Sequence, residues 1–348
     1  MANCPKLSVV VIGRNEGQRL VRCLESVAAM DPPSGNVEII YVDTASTDGS
    51  VKRAASLGAR VMQVNPMRPC ASIGRNAGWR SARASIVLFL DGDTVLAPDF
   101  VVDGLKQFQD PSVAVVCGHR REINTENSIY NRVLDLDWIP APGPDVLCGG
   151  DALIRRDVLE QTGGYDEQLI AGEDAELCTR IRTLGYKIVR LDRRMVGHDL
   201  AIVRFWQYWR RSVRTGYAYA KVSDRFQHTE SRVWYREARR NRLRGAVMLA
   251  VVAGLPILGL ITRSLIPVVA AISIVAALSI RTAIKSRWKC EEWSTRLLYG
   301  LHSQLGQIPI FLGQLKYQKD RVIGTTAELI EYKDDRVSER PSAGATLP

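Results

Sequence analysis

The runs LSVVVIG (Leu7–Gly13) and IVLFL (Ile86–Leu90) are apolar almost without interruption. A strand of that kind is buried on both faces, so helices must cover the sheet from both sides. The intervening residues supply them. EGQRLVRCLESVAAM sets Leu20, Val21, Leu24, Val27 and Ala28 at helical spacing. NVEIIYVDT reads as a second strand, SVKRAASLGA as a helix, RVMQV as a strand and GRNAGWRSARA as a helix. Repeated strand–helix–strand order predicts an α/β, Rossmann-like, mostly parallel sheet, with ligands at the carboxyl ends of its strands.

The strand ending at Leu90 runs straight into Asp91 and Asp93, with only Gly92 between them. A buried, unpaired carboxylate is costly, so these two are exposed, protonated or matched by a cation. Asp43 ends another strand at the same sheet edge. Asp48 precedes a helix, where an acid most simply serves as its N-cap. Glu173 and Asp174 open the amphipathic segment EDAELCTRIRTLGYKI, where by themselves they complement a helix dipole.

After Leu200 the composition changes. Residues 201–348 carry 24 Lys/Arg against 11 Asp/Glu, although the whole chain is only +10. IVRFWQYWRRSVRTGYAYAKV mixes aromatics with arginines, and Phe205, Trp206, Trp209 and Val213 can share one helix face. Such a helix suits a membrane interface or docks as an ordinary amphipathic helix. Gly245–Thr262 and Ser264–Ile280 are apolar runs of 18 and 17 residues, divided by Arg263 alone. Each covers about 26 Å as helix, against a bilayer core of ~30 Å. Basic blocks flank the pair: Arg236, Arg239, Arg240, Arg242 and Arg244 before it, and Arg281, Lys285, Arg287 and Lys289 after it. Positive residues at both ends predict a two-helix hairpin entered from the cytoplasm, with Pro256 and Pro267 allowing kinks. Basic residues that flank apolar spans favour lipid over nucleic acid as partner.

The seven cysteines form no CxxC pair, which argues for a reducing compartment and against a disulfide framework or zinc ribbon. Met1–Lys6 leads directly into the first strand, so no signal peptide is expected. The expected organisation is a catalytic domain over 1–200, basic and aromatic interface helices over 201–244, and a transmembrane hairpin over 245–280. Further interfacial helices over 281–335 and a disordered tail over 336–348 complete it.

Four segments occur in a familiar order and spacing: SVVVIGRNEGQRLVRCLESV, VDTASTDGS, GRNAGWRSARASIVLFLDGDTVLAPDF and CGGDALIRRDVLEQTGGYDEQLIAGEDAELCTRIRTLGYKI. Over about residues 7–200 the chain resembles the family 2 glycosyltransferases, inverting enzymes of the GT-A fold. The resemblance implies that Asp43 contacts the nucleotide base, and Asp91 the ribose or a metal-bound water. Asp93 would hold a divalent metal, Mg²⁺ or Mn²⁺, at the donor diphosphate, which suits hard oxygen ligands. Asp174 would be the catalytic base, oriented by Glu173. Arg75 could face the nucleotide, and His198 could complete the metal site with Asp91 and Asp93. Gly149, Gly150 and Asp151, where the family commonly has GGN, would contact the acceptor.

QYWRR (Gln207–Arg211) resembles the QxxRW of processive synthases, with Arg211 in place of tryptophan. That departure, with only two candidate spans, argues against polymer extrusion. Arg210 could stabilise the departing diphosphate or contact a lipid headgroup. The implied reaction moves one sugar from a nucleotide-sugar donor, UDP favoured, to a lipid-linked saccharide at the inner membrane. Transfer to polyisoprenyl phosphate and a non-catalytic membrane scaffold are the rival readings.

Overall fold

The computed structural model describes residues 5–31, 33, 35–140 and 147–325. The expected disordered tail lies outside them. The sheet-forming part contains β1 (Leu7–Gly13), α1 (Gln18–Ala28), β2 (Val37–Thr44), α2 (Ser50–Ser56), β3 (Arg60–Val64), α3 (Ala71–Ser81) and β4 (Ile86–Asp91). It continues through β5 (Thr94–Leu96), α4 (Phe100–Lys106), β6 (Val113–Glu122), α5 (Ile129–Asp137), β7 (Ala152–Arg155), α6 (Arg156–Thr162), α7 (Glu173–Thr183) and β8 (Lys187–His198).

The eight strands form one sheet in the order β3-β2-β1-β4-β7-β6-β8-β5. β1 and β4 are its apolar spine, and Val9, Val10, Val11, Val87, Leu88 and Leu90 are fully buried. α1 packs on β5 and β1, burying Leu20, Cys23, Leu24 and Val27, one face at helical period. The half β3-β2-β1-β4 is parallel, as expected. The other half is mixed. β7 runs antiparallel to both β4 and β6, β8 is parallel to β6, and β5 is antiparallel to β8.

β1 pairs with β2 on one side and with β4 on the other, so the chain reverses its direction of travel across the sheet there. A crevice opens at such a reversal, beyond the strands' carboxyl ends. Register brings Asp91, opposite Ile12, to it, while Asp43, opposite Gly13, ends β2 alongside.

After β8 the chain is helical: α8 (Phe205–Phe226), α9 (Tyr235–Leu249), α10 (Leu255–Thr262), α11 (Ile266–Lys285), α12 (Trp293–Leu305) and α13 (Gln307–Ile323). α9 and α10 form one continuous helix, Tyr235–Thr262, through a π-helical turn at Ala250–Gly254. Pro256 lies just beyond that turn and lacks an N–H to donate, so the ladder is reset before it. Pro267 sits in the first turn of α11, where no donor is missed, and produces no kink. Arg263 reverses the chain between the helices in the left-handed conformation, φ 52°. Tyr235–Thr262 and Ile266–Lys285 are both long and apolar enough to cross a membrane, and only 17% of each apolar window is buried within the protein.

α8 and α13 cross where Gly216 and Gly313 face the opposite backbone. A Cβ on Gly216 would land on the carbonyl of Ile310, and one on Gly313 on that of Val213. Gly216→Leu should therefore separate the two helices. We expect a loss of roughly 1–3 kcal/mol from overpacking, read as a lowered Tm in detergent.

Candidate active site

The site is a cleft of about 370 Å³ at the carboxyl ends of β1 and β4. Arg14, Asn15 and Glu16 from the β1–α1 loop, with Arg19 from the first turn of α1, form one wall. Arg75, Asp91, Asp93, Glu173 and Asp174 also line it. Gly149, Gly150, Arg120, Trp138 and His198, with Arg211 and Arg214 from α8, face the same cleft.

The metal-ligating candidates meet because of sheet register. Thr94 of β5 pairs antiparallel with His198 of β8, and the Asp199 N–H donates to the Asp93 carbonyl at 2.9 Å. This pairing carries His198 from the far end of the sequence domain to Asp93, leaving Nε2 3.5 Å from Asp93 Oδ1. Ligand atoms of Asp91, Asp93 and His198 all lie within 4.8 Å of one another. Two carboxylates and an imidazole, with no thiolate in the group, fit Mg²⁺ or Mn²⁺.

Arg75 stands at the centre of the acids. α3 reaches it by lying close on β1: a Cβ on Gly78 would collide with Val10, and one on Gly74 would press on Ile12. The buried guanidinium donates to Asp91 Oδ1 and to Glu173 Oε1, each at 2.8 Å. It is 3.4 Å from Asp174 Oδ1 and lies over the Tyr165 ring at 5.3 Å. Arg75 thus bridges the metal-ligating Asp91 to the Glu173–Asp174 pair. Gly150 makes room for it, since a Cβ there would fall on the guanidinium.

Burial is the main force on Asp174, and it pushes the carboxyl up to about 7 against the pull of Arg75, with Glu173 and Asp91 adding to the rise. A group held there accepts a proton near neutral pH, as a general base must. Burial also tends to raise Asp91, but Arg75 and Arg120 overcome it and keep this carboxyl below its usual value. The two acids are therefore pushed apart, one toward proton transfer and one toward permanent charge.

Other candidates fall elsewhere. Asp43 is buried and is not part of the cleft lining; it accepts hydrogen bonds from the Tyr41 hydroxyl and the Ser46 N–H, both at 2.9 Å. Asp48 accepts from Ser50 N–H at 3.0 Å and from Gly17 N–H at 2.9 Å, tying α2 to the β1–α1 loop. Asp151 is buried behind Asp91. It accepts the Asp91 N–H at 3.0 Å and pairs with Arg120. Gly149 and Gly150 do line the cleft.

Arg210 is exposed on α8 and outside the cleft lining, whereas Arg211 and Arg214 are in it. Helical period explains the shift. Gln207 turns inward to accept the N–H groups of Val203 and Arg204 at 2.9 and 3.0 Å, and residues four and seven further on share its face. Sequence reasoning also missed Arg120 and Trp138. The available signal for Arg120 was the polar run HRRE closing an otherwise apolar strand.

The mixed sheet, with paired acids at its reversal and a helical C-terminal region, is that of the GT-A fold. Residues 8–163 match Glycosyl transferase family 2, and residues 86–283 match Glycosyl transferase family group 2. The chain belongs to the family 2 glycosyltransferases.

The probable glycosyltransferase YdaM of Bacillus subtilis (strain 168) is 26% identical over 209 residues, covering 54% of this chain and 49% of that protein. Glycosyltransferase AglE of Haloferax volcanii is 23% identical over 193 residues, covering 53% and 64%. The matched part of the chain thus spans less than two thirds of either relative. The mannosyltransferase PcManGT from Pyrobaculum calidifontis, solved with GDP-Man and Mn²⁺, has the same fold at a TM-score of 0.59 and 18% identity. That match covers 92% of this chain and 89% of the other.

Proposed function

We propose that this chain is an inverting transferase that moves one sugar from a nucleotide-sugar donor, UDP-linked by preference, to a hydroxyl of a lipid-linked saccharide. It would act on the cytoplasmic face of the inner membrane, in exopolysaccharide or envelope glycan synthesis. The observation that carries the reading is Asp174, a carboxyl raised to about 7, in one cleft with the ligand set Asp91, Asp93 and His198.

Asp174 takes the proton of the acceptor hydroxyl while its oxygen forms the new bond to C1. The bond from C1 to the donor phosphate oxygen breaks on the opposite face, and its electron pair leaves with the nucleoside diphosphate. Glu173, held by Arg75, keeps Asp174 aimed at the acceptor. Asp91, Asp93 and His198 would hold Mg²⁺ or Mn²⁺, which supplies neutralising charge to the diphosphate. Arg211 and Arg214 add charge-assisted donors for the phosphates. Asp43 supports the base-binding side, and Gly149 and Gly150 the acceptor side, with Asp151 acting through Arg120. Membrane attachment draws on the two apolar helices and on exposed Phe205 and Trp206 beside the arginines of α8.

The test is release of nucleoside diphosphate by detergent-purified protein across a nucleotide-sugar panel, with membrane lipid extract as acceptor. Metal-dependent release from one donor, abolished by Asp93→Ala, supports the reading. No release from any donor by folded protein would favour a scaffold. A sugar phosphodiester product instead of a glycosidic bond would assign polyisoprenyl phosphate as acceptor. In the same assay Arg211→Ala and Arg214→Ala should each lower the rate by about 10²-fold, while Arg210→Ala changes it little.

A further inference from the structure

The C-terminal helices enclose an apolar groove of about 530 Å³ that the catalytic cleft does not use. Val252 and Pro256 form one wall, Val268 to Ile280 of α11 the floor, and Leu297, Leu301 and Leu305 of α12 the other wall. Its two ends differ. Around Val252, Pro256 and Val268 the lining is wholly apolar. The opposite end holds Ser279, which is 6% exposed and whose Oγ has no hydrogen-bond partner among the described residues. One turn beyond Ser279, Gln304 of α12 donates to the Thr282 hydroxyl at 2.9 Å, so polar side chains gather at this end, whereas exposed Arg281 and Lys285 fall on other faces of α11. A buried hydroxyl without a partner is costly and marks a place for a polar ligand group.

We infer that this groove seats the hydrocarbon chain of the acceptor lipid, with its polar head at the Ser279 end. Three observations favour this occupant. The polarity gradient is that of one amphiphile. From Val268 to Ile280, α11 rises about 18 Å, close to the ~15 Å of one leaflet's hydrocarbon. The wall helix α12 also touches the cleft rim: His302 bonds the Tyr208 hydroxyl at 2.7 Å and Asp137 at 3.0 Å, and Trp138, next in sequence, lines the cleft. Lys289 donates to the Leu136 carbonyl at 2.6 Å, so the basic end of the hairpin lies against the catalytic domain. A chain in the groove would therefore present its head group beside the cleft.

This rests on the transferase reading above, so the test separates the two. The full chain in phosphatidylcholine nanodiscs is assayed for donor hydrolysis without acceptor and for transfer to membrane lipid extract. Binding of a long polyisoprenyl phosphate is measured alongside, with phosphatidylglycerol as competitor. Ala276→Trp fills the groove, Val275→Phe fills it less severely, and Leu260→Trp at the exposed hairpin tip is the control.

The expected result is a rise of about tenfold in KM for the lipid acceptor and an equal loss of probe binding in both groove variants. Donor hydrolysis and Leu260→Trp should stay at parent values. Parent-like transfer and probe binding in a folded groove variant would overturn the groove assignment alone. Equal displacement of the probe by phosphatidylglycerol would overturn it too, making the groove a bulk-lipid site. Absence of both hydrolysis and transfer in the parent would overturn the underlying reading instead.

Discussion

Asp174→Asn should lower sugar transfer by about 10²–10⁴-fold, the usual worth of a positioned general base, while the protein stays folded and still binds donor. The amide keeps the shape of the carboxylate but cannot take the acceptor proton. The parent's pH profile should follow the same group. With the Asp174 carboxyl at about 7, transfer should rise with pH through neutrality and fall about tenfold per unit on the acid side. The stability effect has the opposite sense. The native state keeps this proton up to about 7, whereas an unfolded chain releases it near the ordinary aspartate value of about 3.9. The ionised carboxylate thus costs native stability as pH climbs through that window. Asp174→Asn should have a higher Tm than the parent at alkaline pH and a similar one below the window. A mutant that is equally inactive at all pH values but shows no such Tm pattern would argue that Asp174 is not held in this raised state.

Arg75→Met should be the most damaging single change to the site. It removes the cation that pairs with Asp91 and Glu173 and stands 3.4 Å from Asp174. Breaking a buried pair from one side leaves uncompensated charge, at a cost of about 3–5 kcal/mol. Arg75 is the main influence holding Asp174 down against burial. Any residual activity should therefore need a higher pH than in the parent. Arg75→Lys keeps the charge but cannot reach two carboxylates in fixed geometry, so it should recover Tm more than rate. Thermal melts and pH–rate profiles of the two variants check this. Parent-like stability in Arg75→Met would remove Arg75 from the role of central brace.

Several of these features are legible without coordinates. The unbroken apolar runs at Leu7–Gly13 and Ile86–Leu90 mark strands buried on both faces, and the DGD and ED pairs mark acids that need partners. The hairpin is legible in the same way, because 18 and 17 apolar residues on either side of Arg263 leave few alternatives. The candidate site was less legible where long-range pairing decides it. His198 joins Asp93 through an antiparallel pair of β5 and β8, which a sequence read as strand–helix repeats does not contain. Asp151 resembles an acceptor residue by position, yet its carboxylate is turned to the Asp91 N–H and Arg120.

Sequence by itself determined what is local: strand and helix periods, the acids at strand ends, the basic blocks around the apolar runs and the family resemblance they carry. Only the tertiary structure decided which charges meet. Arg75 could be a surface residue of a helix, and becomes the buried brace because Gly74 and Gly78 let α3 lie on β1. Arg211 and Arg214 reach the cleft instead of Arg210 because Gln207 caps α8 and sets its rotation. Periodicity is written in neighbouring residues, whereas register and helix rotation depend on contacts between segments far apart in the chain.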